Sequence, residues 1–297
     1  MKKILFRGTG TALVTPFTDN GGIDEPTLRR LVDFQIKGGV EALIPTGTTG
    51  ESVTLTEDEI THVVGIVVDQ SAGRVKVIAG AGSNSTSKTI FLAKQVVAAG
   101  ADGILCVAPY YNKPTQEGLF QHYRAIAEEI DAPVIIYNVP GRTACNIDAQ
   151  TTLRIAEEIP GVAGVKEASG NFGQIMEILR NRPKEFGVWS GDDAITLPMT
   201  ALGADGVISV VANEVPKLFS AMVRSCLRGK FDEAIITHNK LLPLMNINFI
   251  ESNPIPVKAA LSMMGKIQER YRLPLVPLSG KHRPALKIIL EELKLLP

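Results

Sequence analysis

The stretch Gly164-Val165-Lys166-Glu167-Ala168-Ser169 follows directly on Val162-Ala163 and sets a lysine where a buried strand calls for another aliphatic residue. A cation inside an apolar run is costly unless it is paired, or unless the site needs its neutral amine. Outward from this stretch the chain repeats one pattern. Short apolar runs fall at 11–14, 40–44, 75–79, 103–107, 133–138, 162–166, 187–190 and 206–210, and each is followed by a helix candidate. Such continuous runs predict strands buried on both faces, as in a parallel sheet covered by helices. Eight units over about 225 residues suit an α/β fold of the closed (β/α)8 TIM-barrel kind better than an open doubly wound sheet. No GxGxxG follows the first run to support a dinucleotide-binding fold.

Local signals agree with that division. Residues 25–37 place Leu28, Leu31, Val32 and Phe34 on one helical side, and Gly38-Gly39 stops the segment. Thr56 with Glu59 three residues on reads as a capping box. Further helices are predicted over 85–99 and 116–130. From 227 onward only helical patterns remain, at 231–245, 254–264 and 283–295. The chain therefore divides into a catalytic barrel, 1–226, and a C-terminal helical region, 227–297, with no low-complexity linker between them.

Composition narrows the partners. Lys plus Arg and Asp plus Glu are 31 each, a net charge of zero. That argues against nucleic acid or a membrane surface as partner and leaves little repulsion against self-association. Three widely spaced cysteines, Cys106, Cys145 and Cys226, form no CxxC, and Cys106 and Cys145, which lack a base in sequence context, read as packing residues. The start, Met1-Lys2-Lys3-Ile4, has a basic hint without a secretory apolar run, and no stretch approaches the roughly 18 apolar residues of a membrane span. The expectation is a soluble cytoplasmic protein.

In a barrel of this kind the active site lies at the carboxyl ends of the strands. Those ends offer Thr48 and Thr49, Tyr110 and Tyr111, Tyr137 with Arg142 beyond it, Lys166, Asp192 and Asp193, and Ser209. Lys166 reads as an amine nucleophile, because burial lowers a lysine pKa toward neutrality. The competing reading is a lysine paired with a buried carboxylate. Neighbouring Glu167 is a poor candidate, since adjacent strand residues face opposite ways. Tyr137 reads as a proton carrier or as an interior tyrosine bonded to backbone. The Gly47-Thr48-Thr49-Gly50-Glu51 turn could aim N–H groups at a carboxylate or phosphate from the start of a helix. Arg142 could hold a carboxylate bidentately or form a surface ion pair. His62, His122, His238 and His282 are scattered, and none falls at a strand end, which leaves a zinc-dependent mechanism without ligands.

Taken together, Gly47-Thr48-Thr49-Gly50-Glu51-Ser52, Pro109-Tyr110-Tyr111-Asn112, Tyr137-Asn138-Val139-Pro140-Gly141-Arg142-Thr143 and Val165-Lys166-Glu167-Ala168 resemble the dihydrodipicolinate synthase family. The likeness runs on through Ser190-Gly191-Asp192-Asp193, Gly206-Val207-Ile208-Ser209-Val210 and Asn253-Pro254-Ile255-Pro256-Val257-Lys258, essentially the whole chain. The resemblance implies a cofactor-free lyase that condenses pyruvate with aspartate-β-semialdehyde to 4-hydroxy-tetrahydrodipicolinate, on the route to diaminopimelate and lysine. It implies that Lys166 forms a Schiff base with pyruvate. Tyr137 would relay protons through Thr48 to a Tyr111 supplied by the neighbouring subunit, within a homotetramer built from two tight dimers. Thr49 with Thr48 would hold the pyruvate carboxylate, Arg142 the semialdehyde carboxylate, and Gly191 and Ile208 would line the pocket, Ile208 through its carbonyl. N-acetylneuraminate lyase and 2-keto-3-deoxy sugar acid aldolases share the lysine, the tyrosine and a similar turn; Arg142 after Pro140-Gly141 and the Tyr110-Tyr111 pair favour the synthase. Lysine-inhibited members of the family carry histidines and a carboxylate in a regulatory cleft. Here Glu57, Ile60 and Lys88 stand at those places beside Ser52, Asn84 and Tyr110, so lysine inhibition is expected to be weak or absent.

Overall fold

A computed structural model describes residues 4–297; the reading of Met1-Lys2-Lys3 lies outside the described residues. Eight strands, β1 (Gly8–Ala12), β2 (Ala42–Ile44), β3 (Lys76–Gly80), β4 (Gly103–Val107), β5 (Val134–Asn138), β6 (Val162–Glu167), β7 (Gly187–Ser190) and β8 (Gly206–Ser209), pair in parallel and in chain order. β8 returns to β1 through Gly8↔Gly206 to Thr11↔Ser209 and closes the barrel. Closure leaves no strand edge.

Outer helices follow the strands: α1 (Glu25–Lys37), α2 (Glu57–Ser71), α3 (Thr86–Ala98), α4 (Gln116–Glu129), then short α5 (Pro140–Thr143) and α6 (Ala149–Glu158), α7 (Phe172–Asn181), α8 (Thr196–Ala201) and α9 (Pro216–Leu227). The capping box forms: the Glu59 N–H donates to Thr56 Oγ1 and the Thr56 N–H to Glu59 Oε2. The C-terminal region adds α10 (Phe231–Ile247), α11 (Ile255–Met263) and α12 (Arg283–Glu292). Its Leu241, Leu244, Ala260 and Leu286 share one apolar cluster with Val207 of β8 and Phe219 of α9.

Strand alternation divides the apolar residues into two layers. Val134, Ile136, Val162 and Val165 point outward to the helices, whereas Ile44, Ile78, Ile135, Tyr137, Trp189 and Ile208 fill the barrel. Trp189 stacks on Phe6 at 5.0 Å between ring centroids and donates its indole N–H to the Phe6 carbonyl. The ring sits where it does because Gly164 has no side chain: a Cβ there would lie 2.6 Å from Trp189 and 2.3 Å from the Gly187 carbonyl oxygen.

The first strand differs from expectation. It covers Gly8–Ala12 rather than 11–14. Its small, polar residues Gly8-Thr9-Gly10 hide the strand from an apolar count. They are required by crowding, since a Cβ on Gly10 would lie 2.5 Å from Ile44. Leu13 and Val14 are buried beyond its end, with the Val14 N–H donated to Asn213 Oδ1.

β6 holds the feature that aims the quoted lysine. Val134 pairs with Val162, but the next residue, Ile135, pairs with Gly164. Ala163 is thus an extra residue, a bulge. It lets Val162 face the outer helices while Gly164 and Lys166 face the barrel.

Candidate active site

At the carboxyl ends of the strands the barrel opens into a cavity of ≈ 380 Å³. Lys166 projects into it from β6, beside Tyr137 of β5, its register partner. The amine Nζ lies 4.2 Å from the centre of the Tyr137 ring. Among the described residues no carboxylate lies within ion-pair distance of it. Burial lowers its pKa from 10.5 to about 8; the buried Asp193 carboxylate opposes the shift, and the Arg142 charge adds to it. The paired-lysine reading is therefore not what the geometry shows. Glu167 points the other way, as strand alternation requires. Its carboxylate accepts from Asn138 Nδ2, Gln174 Nε2 and the Ser169 N–H outside the barrel.

Burial likewise pushes the Tyr137 phenol up to about 12, with the Arg142 charge and the Thr48 hydroxyl pulling the other way. Tyr137 remains a proton donor across the neutral range.

The turn after β2 is bracketed by two residues in the left-handed region, Thr46 (φ 55°) and Glu51 (φ 55°). Inside it the N–H groups of Gly50 and Glu51 bond back to Gly47 and Thr48, and that of Ser52 to Gly47. Those of Thr48 and Thr49 have no acceptor among the described residues, and both threonines line the cavity. The donors come from the turn itself and not from a helix start, since a single 3₁₀ turn, Ser52–Thr54, follows and α2 begins only at Glu57. Gly80 allows the turn to approach, as a Cβ there would stand 2.2 Å from the Thr46 carbonyl oxygen.

Arg142, carried by α5, lines the same cavity and donates to the Asn253 carbonyl at 3.4 Å. Gly191 lines it as well; a Cβ there would press on Ala168 and reach within 3.1 Å of Lys166 Cε. Two predicted residues stand outside this constellation. Ile208 is packed within the barrel core, 1% exposed. Tyr111 is 89% exposed, with φ 75°, and does not line the cavity of its own chain.

Two further residues contribute: Asp193, named at a strand end without a role, and Asn253, which is not at a strand end. Asp193 is buried within electrostatic reach of the lysine, its Oδ2 accepting the Val210 and Val211 N–H groups, with burial pushing the carboxyl up to about 6. Asn253 reaches in from the C-terminal region and donates to Thr49 Oγ1 at 2.9 Å. Strand-end position gave Asp193 only as one of a pair, and nothing local marked Asn253 before the resemblance drew in Asn253-Pro254.

A closed parallel barrel with a desolvated lysine beside a tyrosine at the carboxyl ends of its strands, and no carboxylate within ion-pair distance of the amine among the described residues, defines a protein able to form an imine with a carbonyl compound. Comparison with known sequences makes the class specific. The sequence model of the Dihydrodipicolinate synthetase family matches residues 5–293, and the chain belongs to that family. It is 51% identical over 289 residues to the 4-hydroxy-tetrahydrodipicolinate synthase of Chlorobium phaeobacteroides, covering 97% of this chain and 98% of that one. Among solved structures it is similar to the dihydrodipicolinate synthase of Thermotoga maritima, with a TM-score of 0.97, 47% identity and coverage of 98% and 100%. It is also similar to the chloride-inhibited synthase of Acinetobacter baumannii complexed with pyruvate, with a TM-score of 0.96, 42% identity and coverage of 98% and 100%.

Proposed function

We propose that this chain catalyses the condensation of pyruvate with aspartate-β-semialdehyde to 4-hydroxy-tetrahydrodipicolinate, the committed step toward diaminopimelate and lysine. The observation that carries the reading is the buried, unpaired Lys166 amine, shifted to about 8 beside Tyr137. The neutral amine adds to the pyruvate carbonyl to give a carbinolamine. Tyr137 protonates the departing hydroxyl, water leaves and the imine forms. Loss of a C3 proton gives the enamine, whose C3 attacks the aldehyde of the semialdehyde. The semialdehyde's own amine then attacks the imine carbon, closes the ring and releases Lys166. No step requires a cofactor.

The free N–H groups and hydroxyls of Thr48 and Thr49 suit the pyruvate carboxylate. Arg142 across the cavity takes the carboxylate of the semialdehyde. Gly191 leaves room for the amine, and Ile208 borders the site through its carbonyl. A phenol near pKa 12 needs its proton replaced, and Thr48 is the relay to Tyr111. The family resemblance implies that Tyr111 serves a neighbouring subunit's cavity, and its exposure and absence from the lining of its own chain's cavity are consistent with that role. We assign it to the neighbouring subunit of a tight dimer, two of which form a homotetramer. The reading places the enzyme in the cytoplasm; among the described residues no helix is long and apolar enough to cross a membrane.

Mass spectrometry after incubation with pyruvate and borohydride tests the mechanism. A stable adduct localised to Lys166 is the expected result, and an unchanged mass would remove the covalent mechanism. Turnover with aspartate-β-semialdehyde, against none with N-acetylneuraminate or 2-keto-3-deoxy sugar acids, separates the synthase from its relatives.

A further inference from the structure

The C-terminal region carries a buried ion pair that the reaction itself does not use. Lys258 Nζ of α11 lies 2.5 Å from Glu51 Oε1, and both side chains are 0% exposed. The ammonium also donates to the Thr15 carbonyl at 3.0 Å and sits 4.4 Å from the centre of the Phe17 ring. The other Glu51 oxygen accepts the Arg272 N–H. Glu51 is the left-handed residue that closes the Gly47-Thr48-Thr49-Gly50 turn, and its N–H is bonded to the Thr48 carbonyl. Thr15 binds the turn from the same side, its hydroxyl donating to the Gly50 carbonyl. Five residues before Lys258, Asn253 donates to Thr49 Oγ1. Because that oxygen accepts there, the Thr49 hydroxyl hydrogen is free to be donated elsewhere. The Asn253 carbonyl meanwhile accepts from Arg142.

Stability alone does not account for this arrangement. Desolvating two ions offsets their attraction, and a well-packed apolar pair usually holds two elements together as firmly. What an apolar pair lacks is direction. A carboxylate gripped at both oxygens fixes the Glu51 backbone in a conformation that a non-glycine residue otherwise avoids. That conformation in turn fixes which way the Thr48 and Thr49 donors point.

We propose that Lys258 and Glu51 are positioning residues that orient the Thr48–Thr49 turn for the carboxylate of the keto acid, so that the C-terminal region completes the carboxylate subsite. The inference rests on the reading of those threonines given above. The test uses the double variant Glu51→Gln/Lys258→Met, which removes both charges together and leaves no buried ion unpaired. The assays are melting temperature, borohydride trapping with pyruvate, and separate kcat and KM values. The double variant is expected to fold, to form the Lys166 adduct at saturating pyruvate, and to show a pyruvate KM raised tenfold or more with kcat changed less than threefold. A folded double variant with the pyruvate KM of the unaltered enzyme overturns the proposal. Should the double variant not fold, Glu51→Asp, which keeps both charges but shortens the carboxylate's reach to Lys258, carries the test by the same KM criterion. Glu51→Gly supplies a control that a purely conformational role would pass: glycine accepts the left-handed backbone but has nothing for Lys258 to hold. A raised pyruvate KM in Glu51→Gly supports the proposal, and an unchanged one overturns it. If the unaltered enzyme forms no pyruvate adduct, the reading of the whole site fails, and the clamp with it.

Discussion

Replacing Lys166 by methionine should stabilise the protein while abolishing its chemistry, and the gain should depend on pH in a defined way. The folded-state pKa of Lys166 is about 8, against 10.5 for the unburied amine. A lysine whose folded pKa is depressed binds its proton more weakly in the folded than in the unfolded chain. Folding is therefore penalised wherever the unfolded amine is charged, and the penalty disappears as pH rises through the unfolded value. The shift corresponds to about 3 kcal/mol at full effect. At pH 7 nearly all of that is felt; at pH 9.5 the linkage leaves about half, and well above 10.5 nothing. Methionine fills similar volume without a charge, so Lys166→Met should gain up to about 3 kcal/mol at pH 7 and about half that at pH 9.5. Urea unfolding of both proteins at the two pH values, at one fixed protein concentration because self-association adds to apparent stability, measures this. A stability difference that does not change with pH, or a loss at both pH values, would mean that the amine is held as a paired cation, and the argument for a neutral nucleophile would fall with it.

Other outcomes follow from the same geometry. Asp193→Asn keeps an oxygen for the Val210 and Val211 N–H groups but removes the charge that holds the Lys166 pKa up. The pH midpoint for borohydride trapping should fall below about 8, and an unmoved midpoint would dismiss Asp193 as an electrostatic partner. Tyr111→Phe should lower turnover by about a hundredfold, the scale of a lost proton-transfer group, while leaving the pyruvate adduct intact. Loss of trapping as well would assign it a different role. Lysine at sub-millimolar concentration should leave the rate unchanged, because Lys88 is an exposed cation and Ile60 is buried in the outer core; strong inhibition in a steady-state assay would refute that reading.

The fold was legible wherever strands are apolar. The runs at 103–107 and 187–190 coincide with β4 and β7, and α1 spans the predicted 25–37. β1 was misplaced because its inward positions must be small for Ile44 and Phe6 to fit, and smallness carries no hydrophobic signal. The bulge at Ala163 was invisible for a related reason: an extra residue changes which face a side chain takes without changing composition. At the site, Lys166 and Tyr137 could be found by position alone, since a polar residue at the end of a buried strand stands out. Asp193 and Asn253 act through contacts between distant segments, which periodicity does not encode. The substrates and the roles proposed for Gly191, Ile208 and a cross-subunit Tyr111 rest on family resemblance alone.

The pairing of Glu51 with Lys258 also orders events in time. The two residues are 207 positions apart, so during synthesis the carboxylate is made long before its counter-ion. Until α11 arrives, burying Glu51 would strand a lone charge, and the turn has good reason to stay open to water. The first two strands can pair early, but the turn between β2 and α2 can set only when the C-terminal helices dock. A nascent chain with every barrel strand already made would thus still lack an ordered turn after β2, and enzymatic competence would arrive late in folding, as a consequence of a contact between residues 207 positions apart.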